Sequence, residues 1–298
     1  MKYRISIWLI KLLLKRKRLT LKEIQEEWKN FNRDFNITLH RNTFMAYKQA
    51  AEDMFDVNIN CDRKTNEYYI ENPKEITDSD INKWIMQVAS STEVFTRRRT
   101  LSNRILLEST CGGEEFLDPI TEAMMNDNCI TIEYYSYWME LNSYTVEPYF
   151  IKSFKNRWYL IGFCREREGL RVYAFDRIKT VTISEEHFYM KAQNYPNFLY
   201  KDNFGIINAP KEKTENIHLR FTIKQAPYII TRPLHHSQEI ISYENGFMDI
   251  TLSVKVTLDF MQELLSYGTS MKIISPPSLI KKYKEILNEM YEQYGEFE

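Results

Sequence analysis

Apolar positions recur at helical spacing three times within the first 55 residues: Ile5, Trp8, Leu9 and Leu12; Leu21, Ile24, Trp28 and Phe31; and Phe44, Tyr47, Ala51, Met54 and Phe55. Each set marks one face of an amphipathic helix. The first helix is expected over Ile5 to Leu14. The second starts at Thr20-Leu21-Lys22-Glu23, a capping box whose hydroxyl and carboxylate satisfy N–H groups left free at a helix start. The third follows a turn around Asn36, with Thr38 as its predicted cap. Strand-like runs at 57–60 and 68–70 flank the polar turn Asp62 to Asn66 and read as a hairpin. Three helices and a hairpin over residues 1–73 predict a winged helix-turn-helix.

Residues 74–128 read as a helical linker. A helix is predicted from Thr77 to about Arg98, capped by Asp78 or Ser79, with Ile81, Trp84, Ile85 and Val88 as its apolar stripe. Two more are predicted at Leu101 to Leu107 and Phe116 to Met125. The stripe suits a dimer contact, although an apolar stripe alone is more often ordinary packing.

Over 129–190 the period shortens to two, in runs at Ile130 to Ser136, Tyr144 to Lys152, Arg157 to Cys164, Leu170 to Phe175 and Ile178 to Ile183. Five short strands joined by tight turns predict a small curved barrel. Residues 191–298 then give strand Ile217 to Ile223, helix Ala226 to Thr231, strands Glu239 to Ser242 and Phe247 to Val256, helix Leu258 to Tyr267, strand Met271 to Ile274 and helix Ser278 to Tyr294. The β-α-β-β-α-β succession predicts a ferredoxin-like domain. The fold class is therefore a mixed α+β, multi-domain chain.

With 43% hydrophobic and 14% aromatic residues over 298 positions, the chain has material for two or three cores. Its formal net charge of -1 conceals segregation: residues 1–50 hold 12 Lys/Arg against 4 Asp/Glu, whereas 51–73 hold 2 against 6. Cys61, Cys111, Cys129 and Cys164 are scattered and lack the spacing of a zinc site or disulfide framework, so a reducing cytoplasm is the expected compartment. The stretch Ile5 to Leu14 is too short to span a bilayer and is interrupted by Lys11. No membrane association is expected.

Arg41, Asn42, Thr43 and Lys48 fall on the early, polar part of the third helix, the part that enters a major groove in this motif, and Arg and Asn can pair in bidentate fashion with guanine and adenine edges. Arg63 and Lys64 at the hairpin tip suit phosphate contacts. Taken singly, each is equally well read as a solvated charge; taken together, they favour double-stranded operator DNA as a partner. The run Lys15 to Arg18 fits either a solvated turn or the same surface.

Arg157-Trp158-Tyr159-Leu160-Ile161-Gly162, followed after a polar turn by Arg171-Val172-Tyr173-Ala174-Phe175-Asp176-Arg177-Ile178, resembles the WYL domain in order and spacing. The resemblance implies a bacterial, ligand-responsive DNA-binding regulator, and it specifies the barrel as Sm-like, of SH3 type, with a nucleic-acid-derived ligand. The C-terminal third resembles the extension that accompanies WYL domains, and Arg232 to Gln238 matches a run often seen there. Adjacent His235 and His236 lack a third metal ligand in the sequence and are read as a turn, with Arg232 and His235 as candidates for the cleft edge.

Period-two alternation groups Arg157, Tyr159 and Ile161 on one face of their strand and Arg171, Tyr173 and Phe175 on one face of theirs, so Arg and Tyr are expected to converge. Guanidinium groups beside aromatic faces hold phosphate and stack bases. The predicted ligand set is Tyr134, Ser136, Lys152, Arg157, Tyr159, Arg171, Tyr173 and Arg177. Trp158 and Leu160 are expected in the core, with Asp176 and Arg177 pairing with each other or with backbone. Many family members carry Arg where this chain has Ala174, which leaves Lys152, Arg157 and Arg171 as compensating cations.

The expected function is that of a cytoplasmic, homodimeric transcription regulator whose WYL domain senses a single-stranded or cyclic oligonucleotide. The alternative is an accessory single-stranded nucleic-acid-binding protein assisting a defence or repair effector. With 8 glycines, no phosphate loop, no nucleophile elbow and no carboxylate cluster, neither an enzyme nor a cofactor or metal is expected.

Overall fold

Leu9, Ile24, Phe44 and Phe55, from the three predicted amphipathic faces, are all but inaccessible to solvent, as are Ile10 and Leu13, which the predicted first face left out, whereas its Trp8 and Leu12 are only partly buried. In the computed structural model, which describes residues 2–31, 38–97, 104–109 and 111–295, these faces belong to α1 (Lys2–Arg16), α2 (Leu21–Phe31) and α3 (Arg41–Phe55). The chain divides into two units, Met1–Glu108 and Ser109–Glu298.

In the first unit the capping box forms as read. Thr20 N donates to Glu23 Oε2 at 2.7 Å and Glu23 N to Thr20 Oγ1 at 3.4 Å. Thr38 does not cap α3, which begins at Arg41 after His40, and the turn at Asn36 lies outside the described residues. The hairpin is β2 (Ile59–Asp62) and β3 (Glu67–Ile70). A two-residue strand that periodicity could not reveal, β1 (Leu19–Thr20), pairs with β3, giving a sheet of order β1-β3-β2.

The predicted helix from Thr77 is two helices, α4 (Pro73–Asp78) and α5 (Asp80–Arg97), separated by Ser79, whose Oγ accepts from Asn82 N at 3.3 Å. Ile85 and Met86 pack on the first core, whereas Ile81, Trp84 and Val88 are 72%, 50% and 42% exposed. The helix expected over Leu101 to Leu107 begins outside the described residues, and 105–109 are irregular.

In the second unit α6 (Leu117–Met125) packs Ile120 and Ala123 onto an antiparallel sheet. Its strands are β4 (Asn128–Tyr135), β5 (Leu141–Phe154), β6 (Arg157–Cys164), β7 (Gly169–Ala174) and β8 (Ile178–His187). Thus α6, read from sequence as linker, is part of this core. Strand order is β7-β6-β5-β4-β8. Among the described residues no pairing joins β7 to β8, so hydrogen bonds do not close the expected barrel. A short 3₁₀ turn, Phe175–Arg177, drives Phe175 into the core and carries the chain from one sheet edge to the other. Gly162 permits the close approach of β5 at the Pro148/Phe150 bulge, where a Cβ would lie 2.4 Å from Glu147 O.

The remaining residues include the short α7 (Pro196–Leu199), then β9 (Thr214–Thr222), α8 (Ala226–Thr231), β10 (Glu239–Glu244), β11 (Phe247–Lys255), α9 (Leu258–Ser266), β12 (Met271–Ser275) and α10 (Pro277–Tyr294). The succession is the one read from the sequence, with antiparallel order β10-β11-β9-β12. Ile217, Leu219, Phe221, Ile250, Leu252 and Phe260 fill its core. On the other face Asp249 is 5% exposed and accepts from Arg220 Nε at 2.7 Å, with His218 Nε2 at 3.0 Å.

Candidate ligand cleft and nucleic-acid face

At the start of α3, Arg41 and Asn42 are exposed and Thr43 is partly so. Lys48 is not a free surface cation: its Nζ lies 2.7 Å from Glu52 Oε1, both side chains are mostly buried, and that oxygen also accepts from Ile59 N at 2.6 Å. Lys48 therefore helps tie α3 to β2 and leaves the base-reading set. Arg63 and Lys64 sit exposed in the β2–β3 turn, where Lys64 N donates to Asp62 Oδ1 at 2.9 Å. Within the run 15–18, Arg16 pairs with Glu27 at 2.8 Å and Arg18 with Asp62 at 3.3 Å, leaving Lys15 and Lys17 as its exposed remainder. Four of the six acidic residues of 51–73, Glu52, Asp53, Asp56 and Glu71, gather with Glu75 at the other end of α3 and line a hollow of about 370 Å³.

In the second unit a cleft of about 350 Å³ wraps the edge strand β7. Three arginines line it, Arg167, Arg171 and Arg177, and no carboxylate does. Arg177 donates through Nε and Nη2 to the Tyr135 carbonyl at 3.0 and 2.6 Å, with its guanidinium carbon over the rings of Tyr134 and Tyr137. Arg167 donates to the Tyr144 hydroxyl and lies 4.6 Å over that ring. Arg171 is braced by carbonyls, Leu170 O at 2.8 Å and Arg167 O at 3.4 Å. Among the described residues none of the three has an ion-pair partner within 4.0 Å.

The turn before β7 explains why Arg167 projects here while its neighbour does not. Glu166 accepts from Thr145 N at 2.8 Å, pinning the turn onto β5, and Arg165 is taken up by Glu147 and Glu186. Tyr134, Tyr159 and Tyr173 are proton donors at neutral pH. Burial raises the pKa of Tyr134, Tyr159 and Tyr173, most strongly Tyr173, where Cys164 adds to it. The Tyr134 hydroxyl accepts from Ala174 N at 3.1 Å, leaving its own proton to donate, and among the described residues the buried Tyr173 hydroxyl has no hydrogen-bond partner. Ser136 Oγ accepts from Trp138 N and Glu140 N, closing the β4–β5 turn. That turn holds Tyr137 and Trp138 85% and 87% exposed at the cleft rim.

Of the eight ligand residues predicted, six line this cleft: Tyr134, Ser136, Tyr159, Arg171, Tyr173 and Arg177. Arg157 does not. Its Nε lies 3.2 Å from Asp176 Oδ1, so Asp176 pairs with Arg157 and not with Arg177. The expected convergence of faces is also corrected, because register sets Leu160 opposite Tyr173 and Gly162 opposite Arg171. Arg171 and Tyr173 therefore share a face with Leu160, and Arg157 and Tyr159 occupy the reverse. Tyr159 reaches the cleft because β7 is the last strand of the sheet, so the cleft draws on both faces. Leu160 is fully buried and Trp158 partly so against the same core. Lys152 lines a neighbouring hollow. Sequence reasoning missed Arg167, Tyr137, Trp138 and Tyr144. The juxtaposed Tyr137-Trp138-Met139, three large side chains in a turn, was the one signal available.

The geometry is that of a donor-rich, acceptor-poor anion cleft on a small antiparallel sheet. The WYL domain profile matches residues 115–183 and the WCX domain profile residues 213–291. The chain therefore contains a WYL domain followed by a WCX domain. No curated protein shows significant similarity. Among solved structures, the proteasome accessory factor B/C (PafBC) of Arthrobacter aurescens is 16% identical over 70% of this chain, with a TM-score of 0.28. This chain spans 31% of PafBC. A CRISPR Cas-related protein is 12% identical over 88% of this chain and 67% of its own length, with a TM-score of 0.35. No helix among the described residues is long and apolar enough to cross a membrane, and they contain no group of three or more His, Cys, Asp or Glu able to hold a metal.

Proposed function

We propose that the protein is a transcription regulator in which residues 1–73 bind operator DNA as a winged helix-turn-helix and the WYL cleft binds a nucleic-acid-derived anion that alters operator affinity. The observation that carries this reading is the β7 cleft, where three guanidinium groups without carboxylate partners meet tyrosine hydroxyls that stay protonated. Such a set neutralises phosphate and stacks a base, and it offers little to a cation. In this reading the open sheet is an opened Sm-like barrel, the WCX segment is a ferredoxin-like domain, and the stretch that precedes it walls the cleft through Ile206.

The DNA half rests on the exposed Arg41, Asn42 and Thr43 at the start of α3 and on Arg63 and Lys64 in the hairpin turn. Acidic residues crowd the far end of that helix, which leaves its beginning as the end compatible with a phosphate backbone. Exposed Ile81, Trp84 and Val88 on α5 supply an apolar stripe for a second copy of the chain. Ligand and operator would then bias one shared conformational equilibrium, so each must change the other's affinity by the same factor.

The test is reciprocal. Operator selected from random duplexes is titrated with the protein, with and without a mixture of short single-stranded and cyclic oligonucleotides. A shift of operator affinity that disappears in Arg171→Ala supports the reading. Binding of oligonucleotide with no effect on operator affinity would favour an accessory single-strand binder instead.

A further inference from the structure

Lys152 on β5 stands opposite Tyr159 on β6, and Tyr159 stands opposite Ala174 on β7. Directly opposed residues share a face, and strands are about 4.8 Å apart, so these three form one row roughly 10 Å long. Ala174 and Tyr159 line the arginine cleft, whereas Lys152 lines a second hollow of about 480 Å³ with Tyr200, Phe204, Leu234 and His236. The two hollows also share one stretch of chain: Ile206 borders the first, Phe204 and Gly205 the second. Floor and wall are thus continuous from one to the other.

That stretch is held firmly. Ile206 N and Ile207 N both donate to Asp259 Oδ2, at 2.8 and 2.9 Å, and Gly205 has φ +76°, where a Cβ would lie 2.4 Å from the same carboxylate oxygen. Lys152 Nζ donates to Gly205 O at 2.5 Å and lies 4.9 Å from the centre of the Tyr200 ring. Among the described residues no carboxylate is within ion-pair distance of it. Burial pulls its pKa down, against the more distant pull of Asp259, whose Oδ2 already accepts those two N–H groups. A half-buried ammonium without a counter-ion is costly to keep, and a bound anion would remove that cost. His235 is committed to the fold, since Nε2 donates to Lys201 O at 3.0 Å and Nδ1 lies 2.7 Å from Ser237 Oγ. His236, its ring centre 4.0 Å away and tilted by 45°, is exposed at the rim.

We propose that the hollow at Lys152 is a second phosphate subsite, so that the ligand of this chain is a strand of at least two nucleotides laid along the Ala174–Tyr159–Lys152 row and not a mononucleotide. The proposal rests on reading the arginine cleft as a nucleotide site. Phe154 and Leu234, partly exposed in the same hollow, give the second base an apolar surface, and Lys152 takes the linking phosphate.

Calorimetry on the full chain with thymidine 5′-monophosphate, the dinucleotide pTpT and pTpT bearing a neutral methylphosphonate linkage tests this. The wild type should bind pTpT at least about tenfold more tightly than the mononucleotide, and the neutral linkage should abolish that advantage. Lys152→Met should lose the same advantage while leaving mononucleotide affinity unchanged, and Lys152→Arg should restore it. The salt dependence of pTpT binding should flatten by about 0.7 in Lys152→Met, the slope of one single-strand phosphate. An advantage that survives both the neutral linkage and Lys152→Met overturns the second subsite while leaving the arginine cleft intact. Absence of binding by all three probes refutes the nucleotide reading of that cleft and the subsite with it.

Discussion

Arg177 lies with its guanidinium carbon 3.7 Å from the centre of the Tyr137 ring, on a turn whose tip is otherwise open to solvent. The same side chain donates twice to the Tyr135 carbonyl, so its plane is fixed before any ligand arrives. A guanidinium held this way loses little freedom on binding, which favours affinity. Arg177→Lys is expected to keep the fold's charge and still weaken oligonucleotide binding by about tenfold. An ammonium cannot reproduce both the ring stacking and the paired donation. Calorimetry of the two proteins with one oligonucleotide checks this; equal affinity removes Arg177 as an oriented contact.

Arg157 and Arg171, equivalent in the sequence, should behave differently. Arg171→Ala is expected to abolish ligand binding with little change in melting temperature. Arg157→Ala leaves Asp176 without its ion-pair partner. Although the Arg157 side chain is 36% exposed overall, its Nε and Asp176 Oδ1 are themselves buried, so the melting temperature should fall, while ligand affinity should persist. Thermal melts and titrations of the pair decide it, and a reversal of the two phenotypes would put Arg157 in the site.

On the DNA side, Arg41→Ala should cost about 1–3 kcal/mol at the preferred operator and relax preference at one base pair. Arg63→Ala and Lys64→Ala should flatten the salt dependence and leave preference nearly intact. Lys48→Ala is expected to lower stability instead, because Glu52 then keeps only its bond to Ile59 N. Gel shifts against operator and scrambled duplex at several salt concentrations separate the three outcomes.

Asp249 provides a pH signature. Its pKa is depressed, first by hydrogen bonds from Arg220, with His218 assisting against the opposing effect of burial. A carboxyl with a folded pKa below its unfolded value contributes stability above the unfolded value, about 3.9, and loses it as pH falls through the folded one. The melting temperature of Asp249→Asn should therefore lie below that of the wild type at pH 6, and the gap should narrow below about pH 4. A gap that is constant with pH would mean the pairing with Arg220 and His218 contributes nothing.

Helices and strands were legible because burial leaves a period in the sequence. The faces of α2 and α3, the ends of β6 and all the strands of the C-terminal third follow from it, whereas α1 buries Ile10 and Leu13 where Trp8 and Leu12 were expected. What periodicity could not supply was register. Whether Tyr173 faces Leu160 or Tyr159 depends on the length and shape of the Arg165–Glu168 turn, fixed by Glu166 reaching back to Thr145, a contact between residues 21 positions apart. A single step of register decided which arginines share a site. Arg167 was hidden for a related reason: in an Arg-Glu-Arg-Glu run every charge looks solvated until the fold pairs some and not others. Lys48 is the reverse case, a cation on a polar face that the fold spends on Glu52. The strand β1 left no signal at all, since two residues carry no period.

The position of β7 at the end of its sheet bears on self-association. A terminal strand is an invitation to another chain, and proteins deter such recruitment with charge along the border. Here Arg167 and Arg171 flank that border, and the Tyr134 hydroxyl occupies the Ala174 amide. Stripping the cleft of its arginines all at once would therefore remove a solubility guard together with a ligand contact. A combined triple variant is expected to elute as larger species on a sizing column, whereas each single replacement retains enough repulsion to stay apart.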